Sequence, residues 1–172
     1  MAHSVEEPQY DVLKSIDTVE IRYYAPVVQA VTRLTGTEDT SAGFRILAGY
    51  IFGANDQEQK IAMTAPVRET LTAESPEMAF TMPVEYALEQ LPAPKDERVI
   101  LQNEPAKTVA VLRFSGWATD SRVDRFEQEL RAILATNAIE TTGVASLNQY
   151  NPPWTVPFLR RNEIMIEVAP SR

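Results

Sequence analysis

Arg98-Val-Ile-Leu-Gln102, a short break, then Thr108-Val-Ala-Val-Leu-Arg-Phe-Ser-Gly116 is the stretch that decides the fold. Both pieces are rich in β-branched residues and short enough for strands, and the second closes on a turn-forming Ser-Gly. Residues 19–36 follow the same plan, with Val19-Glu-Ile-Arg-Tyr-Tyr24, a connection, and Val27-Val-Gln-Ala-Val-Thr-Arg-Leu-Thr-Gly36. A helical pattern follows each pair. Beyond each helix come a strand with a proline cassette, Lys60-Ile-Ala-Met-Thr-Ala-Pro-Val67 or Asn148-Gln-Tyr-Asn-Pro-Pro-Trp154, and a closing strand at Met78–Met82 or Asn162–Val168. The unit is ββαββ, met twice about 80 residues apart, as two related halves packed together would give. The halves fall at roughly 7–90 and 95–168 of a single domain, residues 1–172. Leu91-Pro-Ala-Pro-Lys-Asp-Glu-Arg98 between them has the composition of a linker. The expected class is α+β.

The helices differ in kind. In the second, Val123, Phe126, Leu130, Ile133 and Leu134 make one apolar stripe, and Ser121-Arg-Val-Asp124 reads as a capping box at its start. In the first, Phe44, Leu47, Ala48 and Ile51 make a core stripe, but Ile46 and Tyr50 form a second apolar face. Gly43 and Gly49 sit inside this helix, each costing about 1 kcal/mol against Ala. Something besides the sheet should therefore approach it, either a ligand or a closely packed protein element.

The C-terminal run Asn151-Pro-Pro-Trp-Thr-Val-Pro-Phe-Leu-Arg-Arg-Asn-Glu163 forbids helix, because its prolines fix φ and lack a donor. Strand alternation follows, with Ile164, Ile166 and Val168 on one face and Glu163, Met165 and Glu167 on the other. Glu163 thus sits beside Arg160 and Arg161. It reads either as half of a structural ion pair or as a carboxylate at a cleft.

Composition excludes several chemistries. There is no cysteine, so disulfides, thiolate catalysis and cysteine-bound zinc are out. The one histidine, His3, lies in a segment expected to fray, which removes histidine triads and multi-histidine metal sites. A net charge of −8 argues against nucleic acid and anionic membranes as main partners. No run is long enough to span a membrane, and no export signal opens the chain, so a cytoplasmic monomer without membrane insertion is expected.

Gly43-Phe-Arg-Ile-Leu-Ala-Gly-Tyr-Ile-Phe-Gly53, the Lys60–Val67 cassette, Val109-Ala-Val-Leu-Arg-Phe-Ser-Gly116 and Tyr150-Asn-Pro-Pro-Trp154 through Phe158-Leu-Arg-Arg-Asn-Glu163 resemble the SOUL haem-binding protein family, in family order over nearly the whole chain. The resemblance implies a distorted β-barrel of two pseudo-symmetric ββαββ halves, similar to gyrase-inhibitor-like effector-binding domains that hold small molecules between the halves. It also implies haem, another tetrapyrrole or a small hydrophobic ligand, held non-covalently and exchangeably beside the first helix without an axial histidine. On this chain the implied contacts are Ser41, Phe44, Arg45, Leu47, Ala48, Tyr50, Lys60 and Met63. Relatives carry basic groups near the places of Ser41 and Gly49, so Arg45, with Lys60, is left to meet the propionates. No axial ligand is the first expectation; if there is one, it would have to be Tyr50 or Met63, with Met63 read first as a core residue.

Two other classes stay open. One is a small-molecule-modifying enzyme, hydrolase-like or acting on tetrapyrroles, with Glu163 as acid/base and Tyr150 or Tyr50 assisting. The other is a protein-interaction module. The chain shows no nucleophile–base pair, which places the binding module first.

Overall fold

The computed structural model describes residues 4–35, 40–72 and 74–170. Strands β1 (Tyr10–Ile16), β2 (Val19–Tyr24) and β3 (Val27–Arg33) precede helix α1 (Thr40–Ile51), and β4 (Val67–Thr70), β5 (Glu77–Thr81), β6 (Ile100–Glu104) and β7 (Lys107–Phe114) follow it. Helix α2 (Asp120–Thr136), β8 (Thr141–Gln149) and β9 (Asn162–Val168) complete the order, with 3-10 turns at Leu88–Gln90 and Pro157–Leu159.

The chain forms two compact units, and they draw their strands across the sequence repeat rather than along it. One holds residues 26–105 with the N-terminal segment through Pro8; the other holds Gln9–Ala25 and residues 106 onward. In the first, β5 pairs with β4 and β3, and β3 pairs with β6, all antiparallel. In the second, β9 pairs with β8 and β7, β7 with β2, and β2 with β1, again antiparallel. The orders β4-β5-β3-β6 and β8-β9-β7-β2 match term for term. The doubled ββαββ plan within an α+β fold is as expected, but each repeat lends its first strand to the other repeat's sheet.

In the first unit, Leu47, Ala48 and Ile51 of α1 pack on Ala30, Met78 and Phe80 of β3 and β5. Gly43 allows this approach, because a side chain there would run into Leu34 at the end of β3. In the second unit, α2 buries Val123, Leu130 and Leu134, and Phe126 stacks on Phe114 of β7 at 4.3 Å between ring centroids. On β9, Ile164, Ile166 and Val168 are buried as their alternation requires.

Three local expectations need correction. The capping box at Ser121 and Asp124 is not formed: α2 begins at Asp120, after Thr119, which makes no side-chain cap. Arg122 instead donates to the carbonyls of Trp117 and Ser115, drawing the preceding loop onto the first turn. The Lys60–Val67 cassette is irregular up to Val67, since Pro66 has no N–H for a ladder. Phe44 leaves the core stripe and is 41% exposed, leaning on Phe80, whereas Tyr50 is buried.

Candidate functional site

Helix α1 turns two faces to different surroundings. Behind it lies the core just described. On its other side Ala42, Arg45, Ile46 and Gly49, with Tyr50, Ala54, Asp96 and Arg98, line an open cavity of about 300 Å³. At Gly49 the wall faces open space, since a methyl group at its α-carbon would meet nothing within 4 Å.

The facing wall is the segment read from composition as a linker, and it is strapped to the end of α1. The Tyr50 hydroxyl donates to the Pro92 carbonyl at 2.8 Å, and the Lys95 N–H donates to the Ala54 carbonyl at 3.1 Å. The Asp56 N–H donates to Ala93 O, and the Ala93 N–H donates to Asp56 Oδ1, both at 2.9 Å. Burial pushes the Tyr50 phenol up to about 12, and the charge of Asp56 adds to it. It is therefore a neutral donor with its proton already committed. Tyr50→Phe leaves Pro92 O buried without its donor and should cost about 1–3 kcal/mol, read by urea denaturation.

At the rim, Arg98 donates through Nε to Asp96 Oδ1 at 3.0 Å and through Nη2 to Oδ2 at 2.7 Å. These hydrogen bonds pull Asp96 down to about 2, so the exposed pair is ionised at neutral pH. Arg45 has no ion-pair partner among the described residues.

Of the residues expected to hold a ligand, the cavity gathers Arg45 and Tyr50. Leu47 and Ala48 lie in the core behind the wall, and Met63 packs half-buried against the same cluster. Ser41 and Lys60 are exposed and do not line the cavity, and neither does Phe44. Ala42, Ala54, Asp96 and Arg98 escaped the sequence reading. His3 lies outside the described residues. Among those described, no cluster of three His, Asp or Glu is arranged to hold a metal, and no helix is long and apolar enough to cross a membrane.

Glu163 sits elsewhere, in the second unit, on the face of β9 opposite α2. It is fully buried. Arg22 on β2 grips it with both Nη atoms at 3.0 and 3.1 Å, Arg161 Nε donates at 3.0 Å, and the Tyr150 hydroxyl donates at 2.7 Å. Burial alone would push the carboxyl up, but these donors and the charges of Arg22 and Arg161 outweigh it and hold it below its ordinary value. The Tyr150 phenol is raised, by burial first and then by the Glu163 charge. Tyr10 stacks over Arg22 at 4.1 Å, and the ring of Tyr150 lies 3.8 Å from the Arg161 guanidinium. A general acid/base needs a pKa near the working pH and a free approach. Glu163 has neither, and its geometry is that of a locked ion pair.

Known proteins resemble the chain at two levels. The profile of the family described as SOUL heme-binding protein matches residues 5–167. Heme-binding protein 2 of Homo sapiens is 30% identical over 175 residues, covering 94% of this chain and 84% of that protein. Heme-binding protein 2 of Mus musculus is 31% identical over 132 residues, 69% of this chain, and the match spans just under two thirds (64%) of the mouse protein. Among solved structures, the EcmrR C-terminal domain superposes with a TM-score of 0.66 at 12% identity, over 93% of this chain and 98% of that one. At that identity the likeness speaks to the fold alone.

Proposed function

The chain belongs to the SOUL haem-binding protein family, and from that premise we propose that it binds haem or a related tetrapyrrole in the cavity beside α1, without a histidine ligand. The observation that carries the reading is the open flank of Gly49. The lining combines Ala42, Ile46, Gly49 and Tyr50 with two arginines, Arg45 and the Asp96-paired Arg98. A planar, greasy ring with carboxylates on one edge fits that donor set.

The ring face would rest on the α1 wall, and Arg45 would meet a carboxylate at the rim, with Arg98 held ready by Asp96. At about 25 cal/mol per Å², burying a few hundred Å² of ring gives several kcal/mol before association costs. Each exposed rim pair adds about 0–1 kcal/mol. A cavity of about 300 Å³ is at the small end for ligand sites, so part of the ring stays in solvent. The balance favours an exchangeable carrier over a permanent prosthetic site. Bound haem would supply the ligand-binding and redox chemistry of its iron. Tyr50 is not disposed to ligate that iron, because its hydroxyl is spent on Pro92 and stays protonated.

Hemin titration followed at the Soret band tests this, with Gly49→Leu beside the parent chain. The parent should show a saturable shift at low micromolar hemin. Gly49→Leu should bind at least about tenfold more weakly while gaining about 0.5–1 kcal/mol of stability, since a poor helix former is replaced by a good one. No saturable shift in the parent would end the haem reading. Undiminished binding by Gly49→Leu would move the site away from α1.

A further inference from the structure

The loop between β8 and β9 carries the most exposed aromatic side chains of the second unit, and the cavity uses none of them. Trp154 is 83% exposed, Phe158 75% and Leu159 64%. Trp117, on the loop between β7 and α2, is 51% exposed and belongs to the same patch. The Gly116 N–H donates to the Pro157 carbonyl at 2.8 Å, and the Arg160 guanidinium lies 4.6 Å over the Trp117 ring. Apolar groups held out in this way mark a contact surface.

We propose that these two loops form a docking surface for a zwitterionic phospholipid interface. The first reason is the backbone. Pro152, Pro153 and Pro157 have no N–H. The N–H groups of Thr155, Leu159 and Arg160 donate to carbonyls of the same loop, and the Arg161 N–H donates to Asn151 Oδ1. Prolines and internal bonds thus account for seven of the eleven backbone positions 151–161, which lowers the desolvation cost of entering an acyl-chain boundary and leaves the N–H groups of Asn151, Trp154, Val156 and Phe158 at the headgroup level.

The second reason is the side-chain chemistry. Tryptophan, phenylalanine and leucine beside a guanidinium are what settle at the headgroup level. Arg160 donates through Nη1 to Pro152 O at 3.0 Å, which braces the loop and leaves its other N–H groups for a phosphate. The third is charge. The chain has 24 acidic residues, yet positions 151–162 contain none, and Glu163 just beyond is buried and paired. With a net charge of −8, the rest of the chain is repelled by anionic lipid, so apolar contact with a neutral interface provides the attraction.

Both of the chain's tryptophans lie in this patch, so intrinsic fluorescence reads it directly. Phosphatidylcholine vesicles should shift the emission to the blue, carry the protein down on sedimentation, and quench it when their acyl chains bear bromine. Adding phosphatidylserine should not strengthen binding. Phe158→Ser with Leu159→Ser should lower vesicle partitioning on the order of a hundredfold and leave the melting curve unchanged, since both side chains are exposed. No binding to phosphatidylcholine overturns the proposal, as does binding that requires phosphatidylserine. A blue shift that grows with protein concentration without lipid would assign the patch to a second copy of the chain, which also overturns it. None of these outcomes depends on hemin.

Discussion

Glu163→Gln should unfold at markedly lower denaturant than the parent, with a loss of about 3–5 kcal/mol. The change keeps the shape and removes the charge, leaving Arg22, itself buried, with Glu20 as its remaining carboxylate at 2.7 Å. Glu20 is partly exposed and cannot replace a bidentate partner, so Glu20→Gln should cost no more than about 1 kcal/mol. The whole stability of a domain is about 5–15 kcal/mol, so the loss at Glu163 is a large share of it. Arg22→Met with Glu163→Met should be less damaging than the two single changes added together, because no buried charge is left alone. Equal denaturation midpoints for Glu163→Gln and the parent would remove the ion pair from the account of stability.

The same pair sets an acid limit. The folded carboxyl of Glu163 lies below its ordinary 4.5, so the unfolded chain takes up this proton first as pH falls. Its contribution is complete above about pH 4.5, declines below that, and is gone once the pH passes the folded value. Stability measured against pH should fall more steeply in the parent than in Glu163→Gln over that acid range, and the two should run parallel near neutrality.

Leu47→Ala should cost about 2–5 kcal/mol, because Leu47 is wholly buried between α1 and its sheet. Hemin affinity per folded molecule should change little, since the side chain faces away from the cavity. Gly49→Leu, two residues on, should do the reverse. A loss of hemin affinity in Leu47→Ala at full stability would mean that the two faces of α1 had been exchanged.

Much of this was legible in the residues. The alternation of Ile164, Ile166 and Val168 gave β9 its buried face, and the 3.6-residue stripe gave α2 its contact with the sheet. The two glycines of α1 announced a close neighbour, and at Gly43 that neighbour is the protein's own Leu34, whereas nothing stands within 4 Å of a side chain built at Gly49. What was hidden depends on distance along the chain. Arg22 meets Glu163 across 141 positions, and local periodicity carries no record of such a partner. Only the parity of β2 hinted at it, since Arg22 shares a face with Glu20 and Tyr24, both of which it touches. Asp96 and Arg98 were hidden for a related reason. Prolines and charges make a spacer and a folded-back strap look alike until Tyr50 and Asp56 are seen to hold it.

The lending of first strands bears on how the protein is made. On the ribosome, β2 emerges early and must wait for residues 107–114 before it has a neighbour on its far side, and β3 must wait for residues 100–104. Neither sheet is complete when the first repeat has been synthesised, so β2 and β3 each hold an open edge until the second repeat follows. A break in the 91–98 segment before folding would leave β2 without β7 and β3 without β6.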